Sequence, residues 1–235
     1  MKIQLEIHDT AYTADLSKPI DISITMGQVK CFYAPDVVMT PYKSGDFIGS
    51  VNKGAPVNFY NVQLNPHGNG THTECLGHIT KNQQSVNKVL KEFHYNSYLL
   101  TAELETLENG DRVISKDALA KGFPSKGADA IIIRTSPNSD SKLTMDYSGT
   151  NPPYLTSEAM QFLVDHGVQH LLIDTPSVDR EEDAGILAAH HIFWGLDLEE
   201  NVIDASRQTG TITEMVYIAD SHPDGGICSI YRSLL

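Results

Sequence analysis

The sequence predicts a single mixed α/β domain over residues 1–235, with several β-strands and few helices, on three observations. The short continuous apolar run Ala130–Arg134 suits a strand buried on both faces, and Val168–Ile173 reads as a further buried strand. An amphipathic segment at 157–166 separates them, completing a strand–helix–strand unit whose crossover should be right-handed. Alternating segments elsewhere, such as KIQLEI at residues 2–7, have the period of half-exposed strands.

The elements follow in order. DISI at 21–24 suggests a second strand, and VNFYNVQL at 57–64 is rich in β-branched and aromatic residues and reads as another. Residues 65–78, NPHGNGTHTECLGH, read as loop or turn for most of their length. For the 157–166 helix, Thr156 is the N-cap, Glu158 suits the first turn, and Leu155 with Met160 forms a hydrophobic staple. Met160, Leu163 and Val164 share its apolar face, and Gly167 ends it. Residues 181–193 form a second helix candidate with acidic residues at its start, and TITEMVYI at 211–218 alternates as a strand.

Composition narrows function. The 235 residues carry 17 Lys and Arg against 30 Asp and Glu, a formal charge of −13, which repels phosphate backbones and anionic membranes. Nucleic acid and membrane are therefore excluded as expected partners, and a small molecule is the expected one. Three widely spaced cysteines, Cys31, Cys75 and Cys228, make no disulfide framework. The N-terminal residues have no apolar stretch of the signal-peptide kind, and no apolar run approaches the ~18 residues of a membrane span, so a cytoplasmic location is expected.

Chemistry concentrates in residues 67–78, where His67, His72, Glu74 and His78 supply the imidazoles and carboxylate that catalytic divalent metals use. Gly68, Gly70 and Gly77 would allow left-handed turns that fold several ligands toward one point. An extended chain would point His72 and Glu74 to the same side. No lysine or following helix makes these glycines a phosphate loop, and no Gly-x-Ser-x-Gly elbow supports a serine hydrolase.

This stretch resembles the signature H-x-G-T-H-x-D-x-P-x-H of the cyclase family of metal-dependent hydrolases, which includes kynurenine formamidases and isatin hydrolases. DLSKPIDIS at 15–23, IIIRT at 131–135, IDTPSVD at 173–179, AAHHIFW at 188–194 and TITEMVYI at 211–218 follow in the family's order. The resemblance implies two divalent metals per chain, zinc or alternatively manganese, held by His67, His72, Glu74, His190 and Glu214. It also implies that His78 is the general acid/base, that an amide, formamide, lactam or lactone bond is cleaved, and that the chain is a homo-oligomer. His191 competes with His190 for the late histidine, whereas Glu199 and Glu200 sit in a solvated-looking DLEEN loop.

The pattern departs from the family's in three places: one extra residue lies between His67 and Gly70, Glu74 stands for Asp, and Leu76 stands for Pro. The GGICSIYRSLL terminus also stops sooner than the resemblance leads one to expect. These departures motivate the rival expectation of a non-catalytic relative that binds a metal or small molecule. Formylkynurenine-cleaving members place a Trp before a Pro where this chain reads Cys31-Phe32-Tyr33-Ala34-Pro35, so that substrate is a candidate and not the leading one.

Other residues are read more plainly. Asp174 and Asp179 flank a Thr-Pro-Ser turn and serve either the turn or the site. Asp183 either orients a ligand or begins a helix. Cys75 is expected to pack, and His8, His94, His166, His170 and His222 to be structural or exposed.

Overall fold

The computed structural model describes residues 1–7 and 10–230. Its centre is a six-stranded sheet. The strands used below are β1 (Lys2–Ile7), β2 (Thr10–Asp15), β3 (Val38–Pro41), β4 (Tyr60–Gln63) and β5 (His72–Glu74). They continue with β6 (His94–Glu103), β7 (Ala130–Ser136), β8 (His170–Ile173), β9 (Thr211–Glu214) and β10 (Gly225–Ile230). The central order is β10-β6-β7-β8-β9-β5. β6 to β9 are mutually parallel, and the two edge strands, β10 and β5, run antiparallel to their neighbours.

Strand period explains the two cores. Ile131, Ile133, Leu171 and Ile173 point to one face, where helices α1 (Lys116–Ala120), α2 (Ser157–Asp165) and α3 (Ala188–Phe193) supply Leu119, Met160, Leu163 and Phe193. Ala130, Ile132 and Leu172 point to the other face, against Tyr95, Leu99, Val216 and Ile218. Burial on both faces is why residues 130–133 and 171–173 are apolar at every position. The α2 start is as expected: the Thr156 hydroxyl accepts from Ala159 N, Glu158 lies in the first turn, and Gly167 follows with φ +76°.

Several expected elements are shorter or different. Residues 21–24 contribute only an isolated bridge, Ser23 to Val216, because the Asp21 carboxylate takes the Ser23 N–H and hydroxyl into a local turn. The 57–64 strand is only β4, paired with β3 outside the main sheet. The 65–78 segment is more ordered than a loop: a helical turn at Pro66–Asn69, strand β5 and a 3₁₀ turn at Leu76–His78.

The 181–193 helix exists only from Ala188. Before it, Ala184, Gly185 and Leu187 all have positive φ, and the Asp183 carboxylate binds Gly185 N and Leu187 N, so the chain turns where a helix was expected. β8 begins at His170 and not Val168, since Val168 N bonds back to Leu163 O in the α2 turn. Strand β9 stops at Glu214, where Met215 takes φ +55°. The sequence reading missed β6, whose HYNSYLLTAE mixes polar and apolar residues, and its partner β10. His8 lies outside the described residues.

Candidate metal centre

The site is assembled where edge strand β5 lies against β9. Register pairs His72 with Glu214 and Glu74 with Ile212. Residues directly opposite share a face, so His72, Glu74 and Glu214 project together, while Thr73 and Thr213 meet on the other side with hydroxyls 2.8 Å apart. Glu214 is the last residue of its parallel strand, the end at which open α/β sheets carry their sites.

The turn at Pro66–Asn69 delivers His67, and the turn at Leu76–His78 delivers His78. Close approach, and not the left-handed backbone expected of them, explains Gly68 and Gly77; neither has positive φ. A Cβ on Gly68 would lie 2.2 Å from Ala34 Cβ, and one on Gly77 would lie 2.0 Å from the Gln84 carbonyl oxygen.

Glu74 is the hub. Its Oε1 lies 2.8 Å from His190 Nε2, and its Oε2 lies 3.3 Å from His67 Nδ1 and 3.4 Å from His78 Nε2. His72 Nε2 is 3.4 Å from Glu214 Oε2 and 4.0 Å from Glu74 Oε2. The His67 and His78 rings stack at 4.3 Å. His72, Glu74, His190 and Glu214 are buried, whereas His67 and His78 form the half-open rim.

Two hydrogen bonds fix which imidazole nitrogens face inward. His72 Nδ1 lies 3.1 Å from the Gly70 carbonyl, to which it donates, leaving Nε2 toward the carboxylates. His190 Nδ1 donates to Asp179 Oδ2 at 2.5 Å. The other Asp179 oxygen accepts Ala189 N at 2.7 Å, so one carboxylate both starts α3 and aims its histidine. His191, the competitor, turns away and bonds the Asp197 carbonyl at 2.6 Å.

The charge pattern is uneven. Burial opposes ionisation of Glu74, but the hydrogen bond and charge of His190, with His67 and His78 beside it, hold its carboxyl well below the usual range. Burial and the neighbouring Glu74 raise Glu214. Burial works against a charged His72 and His190, yet the carboxylates around them raise both. Burial pushes His78 down to about 4, against the pull of Glu74.

The donor set fits a divalent cation. Glu74 Oε2 and His72 Nε2 are buried without a hydrogen-bond partner, a costly state for polar atoms unless something else binds them. Two ligand triads converge to within 4.8 Å, His67–Glu74–His78 and His72–Glu74–Glu214, sharing Glu74. Imidazole and carboxylate are the ligands of catalytic zinc and its relatives.

A profile of the cyclase family matches residues 14–180. The chain belongs to the cyclase family. Among its relatives, the kynurenine formamidase of Bacillus cytotoxicus is 26% identical over 190 residues, covering 80% of this chain and 81% of that one. The kynurenine formamidase of Bacillus anthracis is 27% identical over 188 residues, with 80% and 83% covered. An isatin hydrolase solved with the product analogue thioisatinate shares the fold at TM-score 0.55 and 13% identity, covering 88% of this chain and 82% of that one. A structure described as a potential metal-dependent hydrolase with cyclase activity aligns at TM-score 0.54 and 16% identity, over 88% and 86%.

All six residues that the family resemblance singled out, His67, His72, Glu74, His78, His190 and Glu214, thus meet in one cluster. The extra residue after His67 is absorbed in the Pro66–Asn69 turn. Asp179, which bonds His190, is the neighbour of the cluster that sequence reasoning left undecided; its signal was only its place eleven residues before His190. Asp174 serves elsewhere, bonding Thr135 and Lys142, and Asp183 shapes the turn before α3. Glu200 accepts from Lys81 N on the surface, and the buried Cys75 thiol donates to the Gln84 carbonyl.

Among the described residues, no helix is long and apolar enough to cross a membrane.

Proposed function

We propose that this cyclase-family chain is a metal-dependent hydrolase that cleaves an amide, formamide or cyclic amide bond of a small molecule. The observation that carries it is the pair of buried atoms that no hydrogen bond satisfies, His72 Nε2 and Glu74 Oε2, at the centre of a histidine and glutamate cluster. In this reading His67, His72, Glu74, His190 and Glu214 hold up to two divalent cations, zinc or alternatively manganese. Kinship with kynurenine formamidases and the fold of an isatin hydrolase support the bond class.

A divalent cation bound here would supply Lewis acidity, which polarises carbonyl oxygen and brings the pKa of water toward ~7. The protein's own part is orientation and proton transfer. Asp179 and the Gly70 carbonyl hold His190 and His72 with Nε2 inward. His78, on the half-open rim and pushed down to about 4 by burial, is neutral at pH 7. Its Nε2 can accept a proton from attacking water and return it to the leaving nitrogen, which becomes a neutral amine.

A second reading of His78 has its own observation: with His67 and Glu74 it forms one of the two ligand triads. Substitution separates the roles. Zinc- or manganese-loaded His78→Ala should keep near-normal metal by elemental analysis, while kcat on an aryl formamide or isatin falls by about 10²–10⁴. His72→Ala should lose metal and activity together. Equal metal loss in both variants would make His78 a ligand, and wild-type protein that retains no divalent metal after loading would end the hydrolase reading.

A further inference from the structure

The chain that forms β9 changes partner just past Glu214. Residues 212–214 pair with β5, whereas Val216 bridges Ser23 and Tyr217 N bonds Ile22 O. Met215 stands at the changeover with φ +55°, and the β5–β9 register, continued by one pair, sets it opposite Thr71. There a side chain takes over from the ladder. The Thr71 hydroxyl donates to Met215 O and accepts Ile24 N, the latter at 2.7 Å. One oxygen thus joins three segments: the residue before His72, the residue after Glu214, and the 22–24 stretch.

The surroundings are built around that oxygen. A methionine in the left-handed region persists only where its neighbours hold it. Met215 is held at both ends, its N on Thr175 O at 3.0 Å and its O on Thr71. Gly70, directly before Thr71, lets the same 22–26 stretch pass close by: a Cβ there would lie 2.9 Å from Met26 Sδ and 3.2 Å from Ile24 O. The Gly70 carbonyl in turn receives His72 Nδ1. Since β5 has three residues, a bond at its first end weighs heavily in whether it stays paired.

We infer that the Thr71 hydroxyl is the latch of the centre, a positioning residue that pins β5 to the end of β9 and so keeps His72 and Glu74 facing Glu214. Valine in its place has nearly the same shape and no hydroxyl. It would strip Ile24 N and Met215 O of this bond, and both residues are buried, where an unmade hydrogen bond costs most. Serine keeps the oxygen. As a metal-positioning residue Thr71 depends on the hydrolase reading above; as a latch between strands it does not.

Hydrogen exchange of the metal-free full chain, read by mass spectrometry, tests the latch. In Thr71→Val the amides of residues 72–74 should exchange about 10–100-fold faster than in wild type, with residues 130–136 unchanged. Zinc affinity by chelator competition should fall by about 10–100-fold, as when the support of a metal ligand is disturbed. Thr71→Ser should restore both to near wild type. Wild-type exchange at 72–74 in Thr71→Val would overturn the latch, as would a Thr71→Ser protein as impaired as Thr71→Val. Faster exchange with wild-type zinc affinity would overturn the positioning role. A wild-type chain that binds no zinc would end the hydrolase reading, and exchange alone would then decide the latch. Should Thr71→Val fail to fold, Thr71→Ala gives the same two measurements.

Discussion

Replacing Asp179 with Asn tests how far the site depends on a residue outside its ligand set. The carboxylate accepts three N–H groups: Ala189 N at 2.7 Å, His190 N at 3.1 Å and His190 Nδ1 at 2.5 Å. An amide of the same shape keeps one oxygen and turns an NH₂ toward a donor, so one side of this arrangement must break. If the amide oxygen stays on the helix, His190 loses its anchor. If it stays on His190, the first turn of α3 loses its acceptor. Hydrogen bonds to charged groups contribute about 1.5–3 kcal/mol each, so urea unfolding should show a loss of about 2–3 kcal/mol. Misdirecting His190 should also weaken metal binding by about 10–100-fold, the usual effect of disturbing the partner of a metal-ligating histidine. That corresponds to ~1.4–2.7 kcal/mol. Chelator competition at fixed pH measures the affinity. Should Asp179→Asn be destabilised yet bind zinc or manganese within a factor of about two of wild type, Asp179 is a helix cap and nothing more.

Two further outcomes follow from the same geometry. Glu214→Gln should empty the site and abolish activity, since Glu214 is buried beside His72 and Glu74. Glu200→Gln, whose carboxylate bonds Lys81, should leave metal content unchanged, and the reverse result would displace Glu214 from the ligand set. Acid unfolding should depend on Asp111, held down to about 2 by the Asn151 amide and the Arg180 guanidinium. A carboxyl depressed in the folded state stabilises above its unfolded pKa and loses that contribution as pH falls through its folded one. Wild-type stability should therefore drop between about pH 4 and pH 2, and Asp111→Asn should flatten that limb; an identical slope in the two proteins would refute the assignment.

The parts of the fold that were legible in the sequence are those where local pattern and tertiary environment agree. The Ile131–Ile133 run and the Thr156-capped helix announce themselves because burial on both faces, or on one stripe, leaves a periodic trace. Strand β6 left none: Ser97 and Asn96 interrupt it, and their partners, the Ser229 hydroxyl and the Asp129 carboxylate, lie far away in sequence. The 181–187 turns were hidden likewise, since Ala184 and Leu187 adopt positive φ without a glycine to mark them. At the site, the clustered residues were readable from the spacing of 67–78 and from order along the chain. Asp179 was not, because a carboxylate in a turn looks the same whether or not a histidine waits beyond it.

The placement of β5 has a consequence for how the site is filled. It is a three-residue strand at the border of the sheet, paired with β9 among the described strands, and it carries His72 and Glu74 between two short turns that carry His67 and His78. An edge segment of this kind should open at a smaller free energy than unfolding of the whole molecule requires. His190 and Glu214, anchored on α3 and on β9, stay behind when that happens. A divalent cation held here would therefore rest on one half-site that stays fixed and one that opens, and should exchange by local opening of residues 65–78. Its exchange should keep pace with amide hydrogen exchange in residues 65–78, and not with the much slower exchange of the central strands.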